Sequence, residues 1–491
     1  DNFSSLATDK LPAWGQAGSS VGESVYRTNA YGSINGILKI DSVRQLRVNA
    51  DYTYERMNSS ATSEAYYYAG GDNIYISESV NPLAKAHRPM LNIKFENNAS
   101  NHYFSETFSA RAQFLSNDCP TLTLSEGDDA VLNTQHRDAT AINLSNNLWA
   151  TIRKGKKKLS FTSNINFIRT PEVLMLMNDI SQSGQSTQLN TRHSTSLQVK
   201  LGSKWKIDMP IDLTANYNFI ETELVKPSVD NQSQRLSGWK LVPSINPSTS
   251  WTSADRKFYA SMGIKMKVLG MNYLSHYNDK RTAMAELFAE PHLSLRYTFS
   301  ATSELKLSSD FNNAAGDIMD LLTTPVQTDY RNTATASGVI GRSQKWSTDL
   351  RYTKQVPLSY FTLAATANYN RGKRNVLTSR IISQTTTEST AIFQDSHTQS
   401  ANGGINVSKN ILPIFTKLSA DANVSWSSSE YMMQNSLVTS YRTGYALHLK
   451  AEVTPVPWLE LNINGNYGKD FLRTESAKES SNRSSDNLRC T

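Results

Sequence analysis

From Trp205 to Phe219 the chain reads WKIDMPIDLTANYNF. Trp205, Ile207, Met209, Ile211, Leu213, Ala215, Tyr217 and Phe219 alternate without a miss against Lys206, Asp208, Pro210, Asp212, Thr214, Asn216 and Asn218. A period of two with one apolar face is a β-strand wetted on one side only. Its rings sit at the two ends and its aliphatic side chains between them, the order expected of a strand that crosses a bilayer with aromatic residues at both interfaces.

The pattern recurs. Leu46, Val48, Ala50, Tyr52 and Tyr54 alternate with polar neighbours, as do Leu293, Leu295, Tyr297 and Phe299. Phe361 to Tyr369, Leu418 to Trp426, Tyr445 to Val453 and Leu459 to Tyr467 repeat it. About 18 such strands are expected, against the roughly 9 to 11 residues that each must supply to cross the membrane. The connections alternate in length. Tight links at Asp41 to Arg44, Lys154 to Lys157, Gly202 to Lys204, Ser253 to Arg256, Ala301 to Ser303 and Thr454 to Pro457 separate long polar links at Thr170 to Leu189, Glu221 to Ser237, Asn313 to Gly341 and Gly372 to Gln394. Short turns on one rim and long loops on the other are what an up-and-down membrane barrel writes into sequence. A compact soluble domain would not carry loops of that length. The expected fold class is therefore all-β, a large antiparallel transmembrane β-barrel.

Composition agrees. Only 38% of the 491 residues are hydrophobic and the mean hydropathy is −0.47. No stretch approaches the roughly 18 apolar residues of a spanning helix, whereas a barrel with a polar lumen keeps the average low. The formal charge of +7 is scattered along the chain, so no nucleic-acid partner is expected. The densest basic run, Lys154 with Lys156, Lys157 and Lys158, reads as a solvated hairpin turn, the alternative being contact with lipid phosphate. Cys119 and Cys490 make neither a disulfide framework nor a metal site. The eight histidines, His87, His102, His136, His193, His276, His292, His397 and His448, lack metal-ligand spacing. Phosphate-binding loops, a nucleophile elbow and the zinc-protease motif are absent, so neither catalysis nor a cofactor is expected.

Residues on the polar face of the alternation are the lumen-lining candidates: Lys206, Asp208, Asp212, Asn216, Arg296, Asp421, Asn423, His448, Lys450 and Glu452. They either meet a plug or line a solute path. Pro210 cannot donate a ladder hydrogen bond, so a bulge or a local break in pairing is expected there.

Two segments carry a family resemblance. Gly32 to Arg56 reads as an early hairpin. Pro291 to Arg331 reads as strand, short turn and strand, followed by Gly316-Asp317-Ile318 and Asp329-Tyr330-Arg331 within one long loop. Together they resemble the barrel of Bacteroidota-type TonB-dependent receptor-like (SusC-like) outer-membrane proteins. The resemblance implies the Gram-negative outer membrane, import of a large or scarce solute, contact with outer-membrane lipid, an inner-membrane energy transducer reached through an N-terminal segment, and a surface lipoprotein partner. Such barrels have 22 strands around an N-terminal plug. Neither plug nor transducer motif is recognisable before Glu23, so the expectation is a plugless piece lacking strands at both ends. The expected organisation is an entry segment at 1–22, a barrel at 23–468 and a polar loop or truncated end at 469–491. Stretch Tyr66 to Asn81 is expected to be a structured part of a long loop. The rival readings are a non-transporting surface barrel for adhesion or envelope assembly, and a membrane-barrel hydrolase.

Overall fold

The computed structural model describes residues 24–490 apart from 70–71, 101, 126–129, 156, 177–179, 228, 328–331, 384–385, 457–458 and 477–479. The entry segment 1–22, the Asp329-Tyr330-Arg331 element, Lys156 and Pro457 lie outside the described residues.

Twenty-five strands make one hydrogen-bonded sheet. In chain order they are β1 (Ser24–Lys39), β2 (Arg44–Ala69), β3 (Asp72–Val80), β4 (Leu83–Asn98), β5 (His102–Ser125), β6 (Val131–Lys154), β7 (Lys157–Leu176), β8 (Ser181–Leu201) and β9 (Trp205–Lys226). Next come β10 (Val229–Ile245), β11 (Ser248–Thr252), β12 (Phe258–Ser275), β13 (Lys280–Ser300), β14 (Ser303–Ala315), β15 (Val326–Gln327), β16 (Asn332–Thr335), β17 (Arg342–Val356) and β18 (Phe361–Arg374). The last are β19 (Leu377–Ile382), β20 (Thr387–Ile392), β21 (Ser396–Ile411), β22 (Thr416–Met433), β23 (Ser436–Val456), β24 (Leu459–Ser476) and β25 (Ser480–Cys490). The only helices among the described residues are three 3-10 turns, Ile318–Leu321, Pro357–Ser359 and Leu412–Ile414.

Wall strands pair antiparallel with their sequence neighbours, and the tight links are held by local chemistry. Asp41 Oδ1 accepts the N–H groups of Val43 (2.9 Å) and Arg44 (2.8 Å), closing the β1–β2 turn. Gly155 and Gly202 take φ of 58° and 71° in the next tight turns, a region that favours glycine.

One face of the wall is an exposed apolar belt. Ile207, Met209, Ile211 and Leu213 on β9, Met262, Ile264, Met266 and Val268 on β12, and Leu447 and Leu449 on β23 all belong to it. A belt spread over so many strands far exceeds the apolar patch a soluble monomer carries, and it suits lipid contact.

Several expectations change. The strand count rises from about 18 to 25 because the long links are themselves folded: β3, β15, β16, β19 and β20 lie in them, and β11 is split from β10. The links at Thr170 to Leu189 and Glu221 to Ser237 are not loops; β7–β8 and β9–β10 continue as paired hairpins through them. Tyr66 to Asn81, expected as a structured part of a long loop, falls on the β2–β3 hairpin. At the 469–491 end the described residues are strand, β24 running to Ser476 and β25 pairing back onto it from Gly465↔Cys490 to Glu475↔Ser480. In all four cases the strands extend past the apolar belt, where the outer face is no longer obliged to be apolar and the ladder continues without the period that lipid imposes. At Pro210 pairing breaks without a bulge: β10 ends at Ile245↔Ile211 and β11 resumes in register at Ser248↔Asp208. Pro210 instead accepts the N–H of Asn246 at 3.0 Å. Among the described residues β1 pairs only with β2 and β25 only with β24.

Candidate functional site

Strand β9 keeps its period but exchanges the chemistry of its faces. From Trp205 to Leu213 its odd residues are apolar and exposed, and Lys206, Asp208 and Asp212 point the other way. Beyond Phe219 the odd positions become exposed Glu221 and Glu223, while Ile220 and Leu224 on the even face are each only 1% exposed. Strand β12 does the same: Met262 to Val268 are exposed on one face, then Leu269, Met271 and Tyr273 are buried on the other. Apolar residues on the inner face are stable only if something covers them.

The cover is the excursion between β14 and β17. Ile318, Leu321, Leu322, Val326 and Ile340 pack against Ile220, Leu236, Leu269, Met271 and Tyr273. Polar anchors fix it at its base. Lys240 Nζ donates to the carbonyls of Ala315 (3.0 Å) and Gly316 (2.9 Å). Lys267 pairs with Glu290 at 2.6 Å and donates to Asn313 O at 2.5 Å, and Glu290 accepts the Asn313 N–H at 2.6 Å. Further along, Gln234 donates to Leu321 O (3.1 Å) and accepts from Thr324 N (3.1 Å), and Gln182 accepts from Gln327 N (3.2 Å). Asp317 caps the 3-10 turn by accepting from Met319 N at 2.9 Å. Asp320 accepts the Gly341 N–H at 2.8 Å, and burial lifts its carboxyl above the usual carboxylate range against the pull of that bond.

The excursion then joins a second one. β15 pairs with β16, β16 runs parallel to β20 with Ala334 opposite Ser389, β20 pairs with β19, and β19 meets the end of β22 at Ser379↔Met432. Strands β10 to β14, β17, β18 and β21 separate β9 from β22 along the wall, so this strap runs as a chord between distant parts of it. Four strands at about 4.8 Å spacing give it a width of roughly 20 Å. Beneath its anchored end lies a cavity of about 230 Å³ lined by Gln188, Asn190, Asn216, Asn218, Lys240 and Asp317 with Ile220, Ile318 and Met319.

The sequence-derived lumen residues fall into separate groups. On β9, Lys206 pairs with Asp208 (2.8 Å), Asp208 also accepts from Ser196 (3.2 Å) and Gln198 (3.0 Å), and Asp212 meets Arg192 at 3.7 Å. Asn216 alone of the ten lines the cavity under the strap. Arg296 lies over the Tyr259 ring at 5.2 Å. On the far wall His448 faces Asp421 at 3.5 Å, Asn423 Oδ1 crowds Gly404, and Glu452 accepts from Lys417 (3.2 Å) and from Lys450. They do not converge on one site. The residues that hold the strap, Gln182, Gln234, Lys240, Lys267 and Glu290, escaped sequence reasoning; the switch from apolar-odd to apolar-even at Ile220 was the signal that could have found them. Among the described residues no group of three or more His, Cys, Asp or Glu side chains could hold a metal ion.

No protein-family model matches the sequence, and no curated protein matches it. Solved structures do resemble it. A double mutant of the Serratia marcescens hemophore receptor HasR, in complex with its hemophore HasA and heme, aligns over 94% of this chain and 80% of its own at 9% identity, with a TM-score of 0.50. The copper transporter OprC aligns over 94% and 75% at 8% identity with a TM-score of 0.49, and the ferric yersiniabactin uptake receptor FyuA from Yersinia pestis over 96% and 80% at 8% with 0.47. At such identity the likeness is one of fold, and the fold this chain shares is that of the TonB-dependent outer-membrane receptor barrels.

Proposed function

We propose that this chain is the translocation wall of an outer-membrane transporter of the TonB-dependent kind, SusC-like in subtype, and that it performs no catalysis. The observation that carries the reading is the strap: two excursions knit to one another and sealed by an apolar cluster onto the inner face of a wall whose outer face is built for lipid. A non-transporting surface barrel has no use for so much apolar area spent inside its own mouth. In this reading a large or scarce solute passes along the inner wall, past Asn216 and Lys240, when the strap moves. An inner-membrane energy transducer supplies the work, and a surface lipoprotein presents the solute.

The test is to lock the strap. Ala334 and Ser389 face each other across the parallel ladder, so Ala334→Cys with Ser389→Cys places two thiols within bonding reach. In cells that depend on this protein for uptake, oxidation should stop uptake and reduction restore it. Uptake at the same rate in both states would remove the strap from the path.

A further inference from the structure

We infer that the inner wall carries an anion-binding site built by Lys345 and Arg374, for a solute bearing a phosphate, sulfate or carboxylate group. It lies on β17, β18, β21 and β22, where a cavity of about 370 Å³ opens against the wall.

The register puts the relevant side chains on one face. Trp346 and Leu350 are exposed on the outer face of β17, so Ser343 and Lys345 point inward. Lys345 stands opposite Gly372, Gly372 opposite Thr398, and Ser343 opposite Arg374. Lys345 and Arg374 are therefore diagonal neighbours on adjacent strands, about 7–8 Å apart at the backbone, close enough for both side chains to reach one anion. Thr398, Ser400 and Ser427 add hydroxyl donors to the same cavity. Gly372 supplies room, since a Cβ there would lie 2.6 Å from Thr398 Oγ1.

Among the described residues neither charge is held in an ion pair, and no carboxylate lines the cavity. Elsewhere on the inner wall Lys206, Lys267, Lys306 and Lys417 each sit against an acid. The nearest acids differ in kind. Asp320 acts on Arg374 only through space while its carboxylate accepts from Gly341, and Asp310 stands opposite Ser347, one row from Lys345. Two like charges side by side are unfavourable in a sheet, and an anion held by charge-assisted hydrogen bonds from Lys, Arg and hydroxyls relieves that repulsion.

The site rests on the inner wall being the solute path, but its test does not require transport. The full chain in lipid nanodiscs is titrated calorimetrically with inorganic pyrophosphate at low salt. Saturable binding is expected, with affinity at least tenfold lower in K345Q/R374Q, each single variant intermediate, and K306Q, whose lysine already pairs with Glu304, unchanged. Each variant is first checked for heat-modifiable migration, which reports the folded barrel. Binding that is equal in K345Q/R374Q, or lost equally in K306Q, would assign the effect to the general positive charge of the chain, and no saturable binding would remove the site. Uptake that fails while pyrophosphate still binds would count against the transport reading alone.

Discussion

Asp320 Oδ2 occupies the space that a Cβ on Gly316 would fill, and the same oxygen accepts the N–H of Gly341 at 2.8 Å. Gly316 in turn donates its own N–H to Gly341 O at 2.7 Å, so both ends of the first excursion close on one carboxylate. Gly316→Ala should expel that carboxylate and loosen the strap at a cost of about 1–3 kcal/mol, the usual range for overpacking. Limited proteolysis within 318–340 should become faster while the barrel core stays resistant. An unchanged cleavage rate would mean that the closure is not structural.

The faces of β9 are tested by charge. An Arg at Ile211 should cost roughly 2–4 kcal/mol if placed near the bilayer midplane, and an Arg at Asp212 far less. Denaturant titration of the chain folding into lipid vesicles measures both, and equal costs would contradict the face assignment.

Nine residues further along, the same strand should respond in the opposite sense. Ile220→Ala empties a space in the buried cluster under the strap and should cost about 2–5 kcal/mol, as large-to-small core changes do. Ile211→Ala leaves no comparable cavity, because lipid fills the gap. Urea titrations of the two variants in one lipid should differ by more than twofold in destabilisation.

Asp320 gives the strap a pH dependence of defined sign. Its folded pKa is raised by burial, so between the ordinary carboxylate value and the raised one the folded state binds the extra proton. Strap stability must fall as pH rises through that window, and the penalty is fully present above it. Asp320→Asn keeps an acceptor for the Gly341 N–H and removes the charge. It should flatten the dependence, measured as amide exchange of the strap between acid and neutral pH.

Alternation made the membrane-crossing part legible. Leu46 to Tyr54, Trp205 to Phe219 and Leu418 to Trp426 must place every second side chain in lipid, so the constraint is written at each position. The ends of the same strands were not legible. Past the belt, segments such as Ser181 to Ser186 and Ser480 to Asn487 are polar on both faces and owe their strand form to the ladder, which leaves no periodic trace. The strap was hidden for another reason. Its pairings join β16 to β20 and β19 to β22 across long gaps in sequence, through stretches too short to show a period. Gly316-Asp317-Ile318 stood out as a motif, but that Asp320 was its partner required the fold.

The central claim is that one strand, β9, carries lipid on its odd face and the solute path on its even face, and that the strap reverses the pattern above the membrane. Single cysteines at positions 205–224, in a chain carrying Cys119→Ser and Cys490→Ser, can be reacted with a membrane-impermeant thiol reagent in lipid vesicles. Even positions from 206 to 216 should react and odd positions from 207 to 213 should be protected. The phase should then invert, with 221 and 223 reactive and 220 and 224 protected. Reactivity without a period of two, or a period that continues unchanged past Phe219, would contradict the account.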